Sequence, residues 1–230
     1  MQFNGITADS LYLLAENRFH DSKAFYEEHK PTIKREIIEP LRAVIAELMP
    51  TMQAIDPLIG GNVSRVRRDN RYTKDKLMYR ENMWIVFMRD KRAWNWCVPA
   101  FYLDFSLGGA EWGMGFYGAT PAMMKALRRR AEADPERVIK AIRKAKRAGF
   151  VLAGEPYARP RSTDDMPKEL RPLYDCRNLR VSRLDPAEFV ASDKLVDDLR
   201  RGFLACAPMY AILMETVEEI IGLRSDLNVE

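Results

Sequence analysis

Apolar residues near the start of the chain recur every three or four positions, as they do on the buried face of a helix. Leu11, Leu14 and Phe19 begin an apolar stripe, and Ile33, Ile37, Leu41, Val44 and Leu48 then recur at spacings of four or three. We expect Asp21 to begin a helix over 22–29, and Pro40 to kink or restart the longer helix. Proline and glycine residues indicate a loop over 50–61. Residues 1–50 are therefore predicted to be helical.

The apolar period changes to two between residues 62 and 118, which indicates the strands of a sheet. Met83–Arg89 is apolar on both faces, as expected for a central strand. Apolar and polar residues then alternate over 101–107, and Gly108-Gly109 offers a two-residue hairpin turn. This turn places apolar residues opposite each other: Phe105 and Trp112, Leu103 and Met114, Phe101 and Phe116.

The opposite face of this predicted hairpin is polar and contains two glycines. The same turn pairs Tyr102 with Gly115, Asp104 with Gly113 and Ser106 with Glu111. Glycines inside a strand leave room for the close approach of a ligand or of another backbone. Alternatively, Tyr102 covers Gly115, as aromatic side chains often cover glycine in a sheet. Both interpretations fit the pattern.

Helical signals return after the sheet. Thr120-Pro121 and Asp134-Pro135 are typical helix starts, and Gly149 is a typical stop. We then expect a strand at 150–153, a long ordered loop at 154–178, and helices at 192–205 and 208–221. This order of elements predicts an α+β fold, with an antiparallel meander of about 4–6 strands packed against N- and C-terminal helices. We expect a single domain over 1–230, with helices over 1–50, the sheet over 62–118, and helices and a long loop over 120–222.

Composition excludes several classes of protein. A chain of 230 residues with 47% hydrophobic and 30% charged residues is typical of a globular domain. No apolar run approaches the roughly 18–20 residues of a membrane span, and the N-terminus lacks the pattern of a signal peptide, so we expect a cytoplasmic protein with no membrane partner. Cys97, Cys176 and Cys206 lack metal-ligand spacing, and His20 and His29 are the two histidines. We therefore expect no metal and no cofactor.

Positive charge is concentrated in residues 65–80, which contain seven Arg or Lys and two Asp. The net charge of this stretch is +5, whereas the whole chain carries +4. If Val66 faces the core, Arg68 is half-buried and must meet a carboxylate or a ligand anion. Asp69 and Asp75 can pair with only some of the basic residues, and the surplus suits a phosphate or carboxylate group. Alternatively, these Arg and Asp residues form a purely structural network.

Charge alone does not identify a site, because residues 125–147 carry ten Lys or Arg against three acidic residues. Such a pattern usually marks the solvated face of a helix. The chain contains no glycine-rich phosphate loop ending in Lys-Ser or Lys-Thr. The string Gly113-x-Gly115-x-x-Gly118 lies in the predicted hairpin instead of a strand-to-helix turn, so we do not interpret it as a dinucleotide site.

The order of residues in the basic stretch resembles a known signature. Arg65-Val-x-Arg68-Asp69-x-Arg71-Tyr72-Thr73-Lys74-Asp75-Lys76-x-x-Tyr79-Arg80 is similar to a string in the family catalogued as domain of unknown function 2461. Other similar positions are Asn17-Arg18, Phe25-Tyr26, Lys30, Pro40-Leu41, Phe101-Tyr102-Leu103 and Leu127-Arg128, so the resemblance spans residues 8–210. Met78 stands where that family usually has Pro, and Arg80 where it usually has Lys. The resemblance implies an α+β domain and no particular activity.

Three functions fit these observations, the first being a binding site, with or without catalysis, for a small anionic ligand. Its residues would be Arg68, Asp69, Arg71, Lys74, Lys76, Tyr79, Arg80, Tyr102 and Arg128. Asp104 and Asp69 are the candidates for a general base. The second is nucleic-acid binding by the 65–80 loop and the basic helix over 125–147, where Tyr72, Trp94 or Trp96 would stack on bases. The third is an interaction module whose Arg–Asp network is only structural.

Overall fold

The computed structural model describes residue 3 and residues 5–71, 74–90, 92, 98–116 and 118–227, the last five of them by their backbone alone. Its helices are α1 (Ala8–His20), α2 (Lys23–Ile33), α3 (Glu39–Ile55), α4 (Pro121–Ala133), α5 (Pro135–Arg147), α6 (Arg171–Asp175) and α7 (Leu195–Leu227). Its strands are β1 (Gly60–Val63), β2 (Met83–Met88), β3 (Pro99–Ser106), β4 (Gly109–Phe116), β5 (Val151–Ala153) and β6 (Arg180–Asp185). The fold is α+β, as predicted.

The six strands form one antiparallel sheet in the order β1-β2-β3-β4-β6-β5. Strands β1 to β4 follow one another as the predicted meander, and the strand expected at 150–153 is present as β5. Strand β6 was not predicted. It follows the long loop and lies between β4 and β5, where it pairs with both. The sheet therefore continues beyond the meander.

Helices cover one face of this sheet. The inward positions of β2, β3 and β4 are buried: Met83, Ile85, Phe87, Phe101, Leu103, Phe105, Trp112 and Met114. Phe203 of α7 lies among them and contacts the rings of Phe87, Phe101 and Trp112. The apolar stripe predicted over the second helical segment, from Ile33 to Leu48, is also buried. Val66 lies in the core as expected.

Two predictions at the first helix boundary are wrong. Phe19 is 87% exposed, so the first apolar stripe does not extend to it. Asp21 does not begin the second helix. It is the left-handed C-cap of α1, with φ 44°, and Ser22 caps α2 by accepting a hydrogen bond from the Phe25 N–H. The carboxylate of Asp21 is thereby left to bind another segment of the chain.

Two prolines that were expected to separate elements lie inside helices. Pro50 is within α3, and Pro208 is within α7, so the predicted loop begins later and the two C-terminal helices are one. Buried residues lie on both sides of each proline, and their packing offsets the lost backbone hydrogen bond. Pro40 does mark an irregularity, because a π-helical turn over Lys34–Ile38 precedes it. Within the described chain, no helix is long and apolar enough to cross a membrane.

The β3–β4 hairpin turns one residue earlier than predicted. The turn residues are Leu107 and Gly108, whereas Gly109 belongs to β4 with φ +134°. Ser106 Oγ accepts the Gly108 N–H at 3.1 Å and stabilises this turn. The pairing is shifted by two residues, so Leu103 faces Trp112, Phe101 faces Met114 and Phe105 faces Ala110. A shift of two keeps the same residues on the buried face, which is why the predicted faces are correct and the partners are not.

The glycines of β4 are explained by the strand that was not predicted. A Cβ at Gly113 would lie 2.0 Å from the Val181 carbonyl oxygen of β6, and one at Gly115 would lie 2.7 Å from the Leu179 carbonyl oxygen. Another backbone thus approaches these glycines, which was one of the two interpretations. The other is wrong, because Tyr102 stands opposite Gly113 and not Gly115.

Candidate functional site

The basic stretch 65–80 folds back on itself between β1 and β2. The Arg68 N–H donates to the Met78 carbonyl at 2.8 Å, and the Arg80 N–H donates to the Val66 carbonyl at 3.0 Å. Arg67 and Tyr79 form the bridge between these two bonds. We call residues 65–80 the basic hairpin. Because its two ends pair, the side chains near each end are held in defined directions.

Helix α1 anchors the basic hairpin. Asp21 Oδ1 accepts the N–H groups of Met78 and Tyr79 at 2.7 and 3.1 Å. Arg18 donates to the Tyr79 carbonyl at 2.9 Å and to Asp75 Oδ2 at 2.7 Å. The two bonds to Asp21 use the carboxylate that the left-handed cap leaves outside the helix.

Asp75 is the centre of the hydrogen bonds that shape the hairpin. It binds Arg18 and Arg68 through one oxygen and accepts the Leu77 N–H through the other. The hydrogen bonds from Arg18, Leu77 and Arg68 hold the pKa of Asp75 far below its ordinary value. Tyr79 is buried and stacks on Tyr26 with ring centroids 4.8 Å apart. These residues of the motif maintain the shape of the hairpin.

Two more pairs fix the tip. Lys76 Nζ donates to the Asn70 carbonyl at 3.2 Å, and the Asn70 amide donates to the Lys76 carbonyl at 2.7 Å. Arg71 binds Asp69 through two nitrogens, at 2.9 and 2.7 Å. The hydrogen bonds from Arg71 lower the pKa of Asp69 to about 2. Lys74 is exposed, and Tyr72 and Thr73 lie outside the described residues.

An open cleft of about 1240 Å³ lies between the basic hairpin and the sheet face that the helices leave uncovered. Five of the predicted site residues line it, together with the general-base candidate Asp104: Arg68, Asp69, Arg71, Arg80 and Tyr102. Other lining residues are Arg65, Arg67, Trp84, Val86, Arg89, Arg92, Gly115 and Arg180. The cleft is therefore where the hairpin and the polar face of the sheet meet.

Arginines in this cleft differ in whether their charge is compensated. Arg68, Arg71, Arg89 and Arg180 pair with Asp75, Asp69, Asp56 and Glu111 respectively. Arg65, Arg67, Arg80 and Arg92 make no ion pair with the described residues of the chain. Arg80 is half-buried, and its Nε is inaccessible to water and without a hydrogen-bond partner among those residues. Arg80 therefore has a buried donor with unused hydrogen-bonding capacity, close to guanidinium groups that make no ion pair.

The floor of the cleft carries a second polar cluster. Trp84, Asp104 and Glu111 are directly opposite one another on β2, β3 and β4. The Asn82 amide donates to both carboxylate oxygens of Asp104, at 2.9 Å each. Glu111 accepts the Tyr102 hydroxyl at 2.9 Å and pairs with Arg180 at 3.0 Å. Burial raises the pKa of Asp104 and the nearby charge of Glu111 adds to this, against the opposing effects of Asn82 and Arg80.

Replacing Asp104 by Asn is expected to stabilise the protein at pH 7. The raised pKa means that ionised Asp104 is disfavoured in the folded state, so wild-type stability falls as pH rises from about 3.9, the unfolded value. Below that pH, Asp104 is neutral in both the folded and the unfolded state. The stability difference between variant and wild type that comes from its ionisation should then vanish. Thermal unfolding of Asp104→Asn and the wild type between pH 3.5 and pH 7 tests this; a difference that does not change with pH would contradict it.

Arg128, predicted as a site residue, lies elsewhere. Its guanidinium donates to the carbonyls of Leu173 and Cys176, at 2.9 Å each, and ties α4 to the segment around α6. Lys74, Lys76 and Tyr79 belong to the hairpin but do not line the cleft. The structure therefore does not bring these four residues together with the others.

Several cleft residues were not predicted. Trp84 lies on a strand that is apolar on both faces, so the sequence did not show which face it occupies; its pairing with Asp104 places it on the cleft face. Arg65 and Arg67 belong to the basic stretch but were not assigned to the site. Arg180 had no sequence signal, because β6 was not recognised. Trp94 and Trp96 lie outside the described residues. Among the described residues, no group of three His, Cys, Asp or Glu side chains is placed to hold a metal.

The second basic segment lies on the helical side of the protein. Arg129 and Arg130 of α4 and Arg137 of α5 pair with Glu215 and Glu219 of α7. Helix α7 packs on the buried face of β3 and β4, opposite the cleft. The two basic segments therefore do not form one continuous surface.

Comparison with known proteins agrees with the resemblance of the basic string. The model of a conserved hypothetical protein family, DUF2461, matches residues 9–211. The chain belongs to this family. The DUF2461 match includes α1, the basic hairpin and all six strands, so the whole cleft lies within it. No curated protein matches the chain.

Proposed function

We propose that the cleft binds a small anionic ligand that carries a phosphate or carboxylate group. The observation that supports this most is the set of uncompensated arginines on the hairpin side, Arg65, Arg67 and Arg80. Their guanidinium groups share a concave surface with Arg68 and Arg71, whose carboxylate partners hold them in place. Planar guanidinium groups bind phosphate and carboxylate oxygens in pairs, which favours an anion of this kind.

Arg80 is the residue that a purely structural network does not explain. A buried N–H without a partner is unfavourable by about 1–3 kcal/mol, and more when the group is charged. Elsewhere in the hairpin, Arg68, Arg71 and Lys76 each meet an acidic or backbone acceptor, and the side chains of Arg65 and Arg67 are exposed to water. An anion in the cleft would supply the acceptor that Arg80 lacks. We therefore favour a ligand site over an interaction module with a structural network only.

A small ligand also fits better than nucleic acid on a combined surface. Arg129, Arg130 and Arg137 of α4 and α5 pair with glutamates of α7, which packs on the other face of the sheet. The cleft itself is concave, and its floor is made of strands with a half-buried tryptophan. Clefts of this type are the usual sites for small molecules.

The test is calorimetric titration of the wild type and of Arg65→Ala/Arg67→Ala with phosphate, pyrophosphate and citrate. Each lost charge-assisted hydrogen bond is worth about 1.5–3 kcal/mol, so we expect the double variant to bind at least about 10–100-fold more weakly. Both side chains are exposed, so the fold should be unchanged. Arg159→Ala, at an exposed position outside the cleft, is the matched control and should bind like the wild type.

Two outcomes would contradict the proposal. One is the absence of binding by every anion to the wild type. The other is equal binding by the wild type and the double variant. A single-stranded oligonucleotide in the same series separates the alternative: tight binding that weakens steeply with salt, without binding of the small anions, would assign the cleft to nucleic acid.

A further inference from the structure

The cleft is chemically asymmetric. Uncompensated arginines lie on the hairpin side, whereas the floor presents the row formed by Trp84 and Asp104. Residues directly opposite each other in an antiparallel pair have Cβ atoms about 4.5–5.5 Å apart, so the indole and the carboxylate are neighbours on one surface. Arg80 is close enough to Asp104 for its charge to act on that carboxylate. The anion site and the row on the floor are therefore adjacent.

Asp104 has acceptor capacity that the described chain does not use. A carboxylate offers about four lone-pair positions, and the Asn82 amide occupies one on each oxygen. Asp104 makes no ion pair with the described residues, although it lines a cleft rich in arginine. Glu111, the next carboxylate in the row, differs because Tyr102 and Arg180 both bind it. Asp104 is thus the acceptor on the floor that is left for a ligand.

The charge of the cleft favours a neutral donor to Asp104 over a cationic one. Four of the eight arginines that line the cleft make no ion pair with the described residues, and this surplus of positive charge repels an ammonium group. A hydroxyl group donates a hydrogen bond to a carboxylate without carrying charge. Trp84 adds a half-buried aromatic surface, and the electron-rich face of an indole packs against the C–H groups of a sugar ring.

We propose that the anionic ligand is a phosphorylated sugar whose phosphate binds the hairpin arginines. Its hydroxyl groups donate to Asp104, and its ring packs on Trp84. This inference rests on the proposed function and adds the class of ligand. Two sources share the chemistry, a free sugar phosphate and the ribose phosphate of a nucleotide.

The experiment compares ribose 5-phosphate, AMP and inorganic phosphate by calorimetry at pH 7. The wild type should bind ribose 5-phosphate at least about 10-fold more tightly than phosphate, as expected for one or two added hydrogen bonds and a stacked ring. In Asp104→Ala and Trp84→Leu, the affinity for ribose 5-phosphate should come within about 2-fold of the affinity for phosphate in the same variant. The ratio is compared within each variant because removing the Asp104 carboxylate beside Arg80 itself changes the affinity for phosphate. Asp164→Ala, at a fully exposed position outside the cleft, should keep the gain.

The source of the sugar phosphate follows from the AMP titration. An equal or larger gain with AMP assigns the ligand to nucleotides, and weaker binding of AMP than of ribose 5-phosphate assigns it to free sugar phosphates; both support the inference. Phosphoserine, which carries an ammonium group in place of hydroxyls, should show no gain over phosphate.

Three results would overturn the inference. The first is binding of ribose 5-phosphate and AMP no tighter than that of phosphate. The second is a gain that survives in Asp104→Ala and Trp84→Leu, and the third is tighter binding of phosphoserine than of either sugar phosphate. In each case binding of phosphate itself leaves the proposed anion site standing. Loss of phosphate binding in the wild type would instead remove the proposed function.

Discussion

Gly113→Ala is expected to destabilise the protein by about 3–5 kcal/mol, or to prevent it from folding, because the new methyl group has no room. Its Cβ would lie 2.0 Å from the Val181 carbonyl oxygen and 2.9 Å from the Ser182 Cα. Both atoms are backbone, so neither can rotate away. The φ of +152° at this position adds strain for any residue with a Cβ.

Urea unfolding followed by tryptophan fluorescence measures this effect. Gly60→Ala is the matched control, because a Cβ at Gly60 meets nothing within 4 Å. It should change the free energy of unfolding by no more than about 1 kcal/mol. A loss below about 1 kcal/mol for Gly113→Ala would mean that β6 does not approach β4 as closely as described.

The second large effect is expected for Asp56→Ala, at about 3–5 kcal/mol, since removing one partner of a buried ion pair is strongly destabilising. Asp56 is only 4% exposed. It accepts hydrogen bonds from Arg89 Nε and from the Tyr210 hydroxyl, both at 2.6 Å, and from the Leu58 N–H at 3.0 Å. The substitution removes the acceptor of the buried Tyr210 hydroxyl and the nearer carboxylate of Arg89, whose pair with the exposed Glu218 at 3.2 Å remains.

Denaturant unfolding at two pH values tests this effect and its cause. Burial opposes ionisation of Asp56, but the hydrogen bonds from Arg89 and Tyr210 prevail and lower its pKa. The stabilisation is therefore present above about pH 3.9 and is lost as pH falls through the folded-state pKa. The difference in the free energy of unfolding between wild type and variant should be largest at pH 7 and smaller in acid.

Asp164→Ala serves as the control for this experiment as well. Asp164 is fully exposed, and its partner Arg171 is 3.9 Å away. Its loss should change stability by less than about 0.5 kcal/mol. An equal effect of Asp56→Ala and Asp164→Ala would show that the Arg89 network is not stabilising.

The Asp56 network also concerns the cleft. Arg89 lines it, and Asp56 and Tyr210 connect that arginine to α3 and α7 in the core. The basic hairpin is supported in a similar way, since Asp21 and Arg18 of α1 bind its backbone. Helices therefore support the cleft at two edges: α3 and α7 hold Arg89, and α1 holds the basic hairpin. Such support favours a preformed site.

Much of the fold was predictable because periodicity depends on local sequence. The stripe from Ile33 to Leu48, the caps at Thr120 and Asp134, and the alternation of β3 all have the predicted burial or position. The faces of the β3–β4 hairpin were correct even with the wrong turn, since a shift of two residues preserves them. The error arose because two adjacent glycines allow two turns, and Ser106 selects one of them.

Other features depend on segments of the chain that are far apart in sequence. Pro50 and Pro208 look like helix ends locally, yet packing on both sides of each proline keeps the helices continuous. Strand β6 completes the sheet after a long loop, and its backbone is the reason for glycine at 113 and 115. Local periodicity cannot report a partner strand that follows only after two helices and a long loop.

The sequence by itself determined the α+β class and the family, and it showed a concentration of positive charge in residues 65–80. Only the tertiary structure divided that stretch by role. Asp75, Lys76 and Tyr79 shape the hairpin, whereas Arg65 and Arg80 face the cleft. The physical reason is that the net charge of a stretch is the same whether its basic side chains are paired or unpaired. Whether a given arginine is paired depends on acceptors that folding brings from α1, from the sheet and from the hairpin itself.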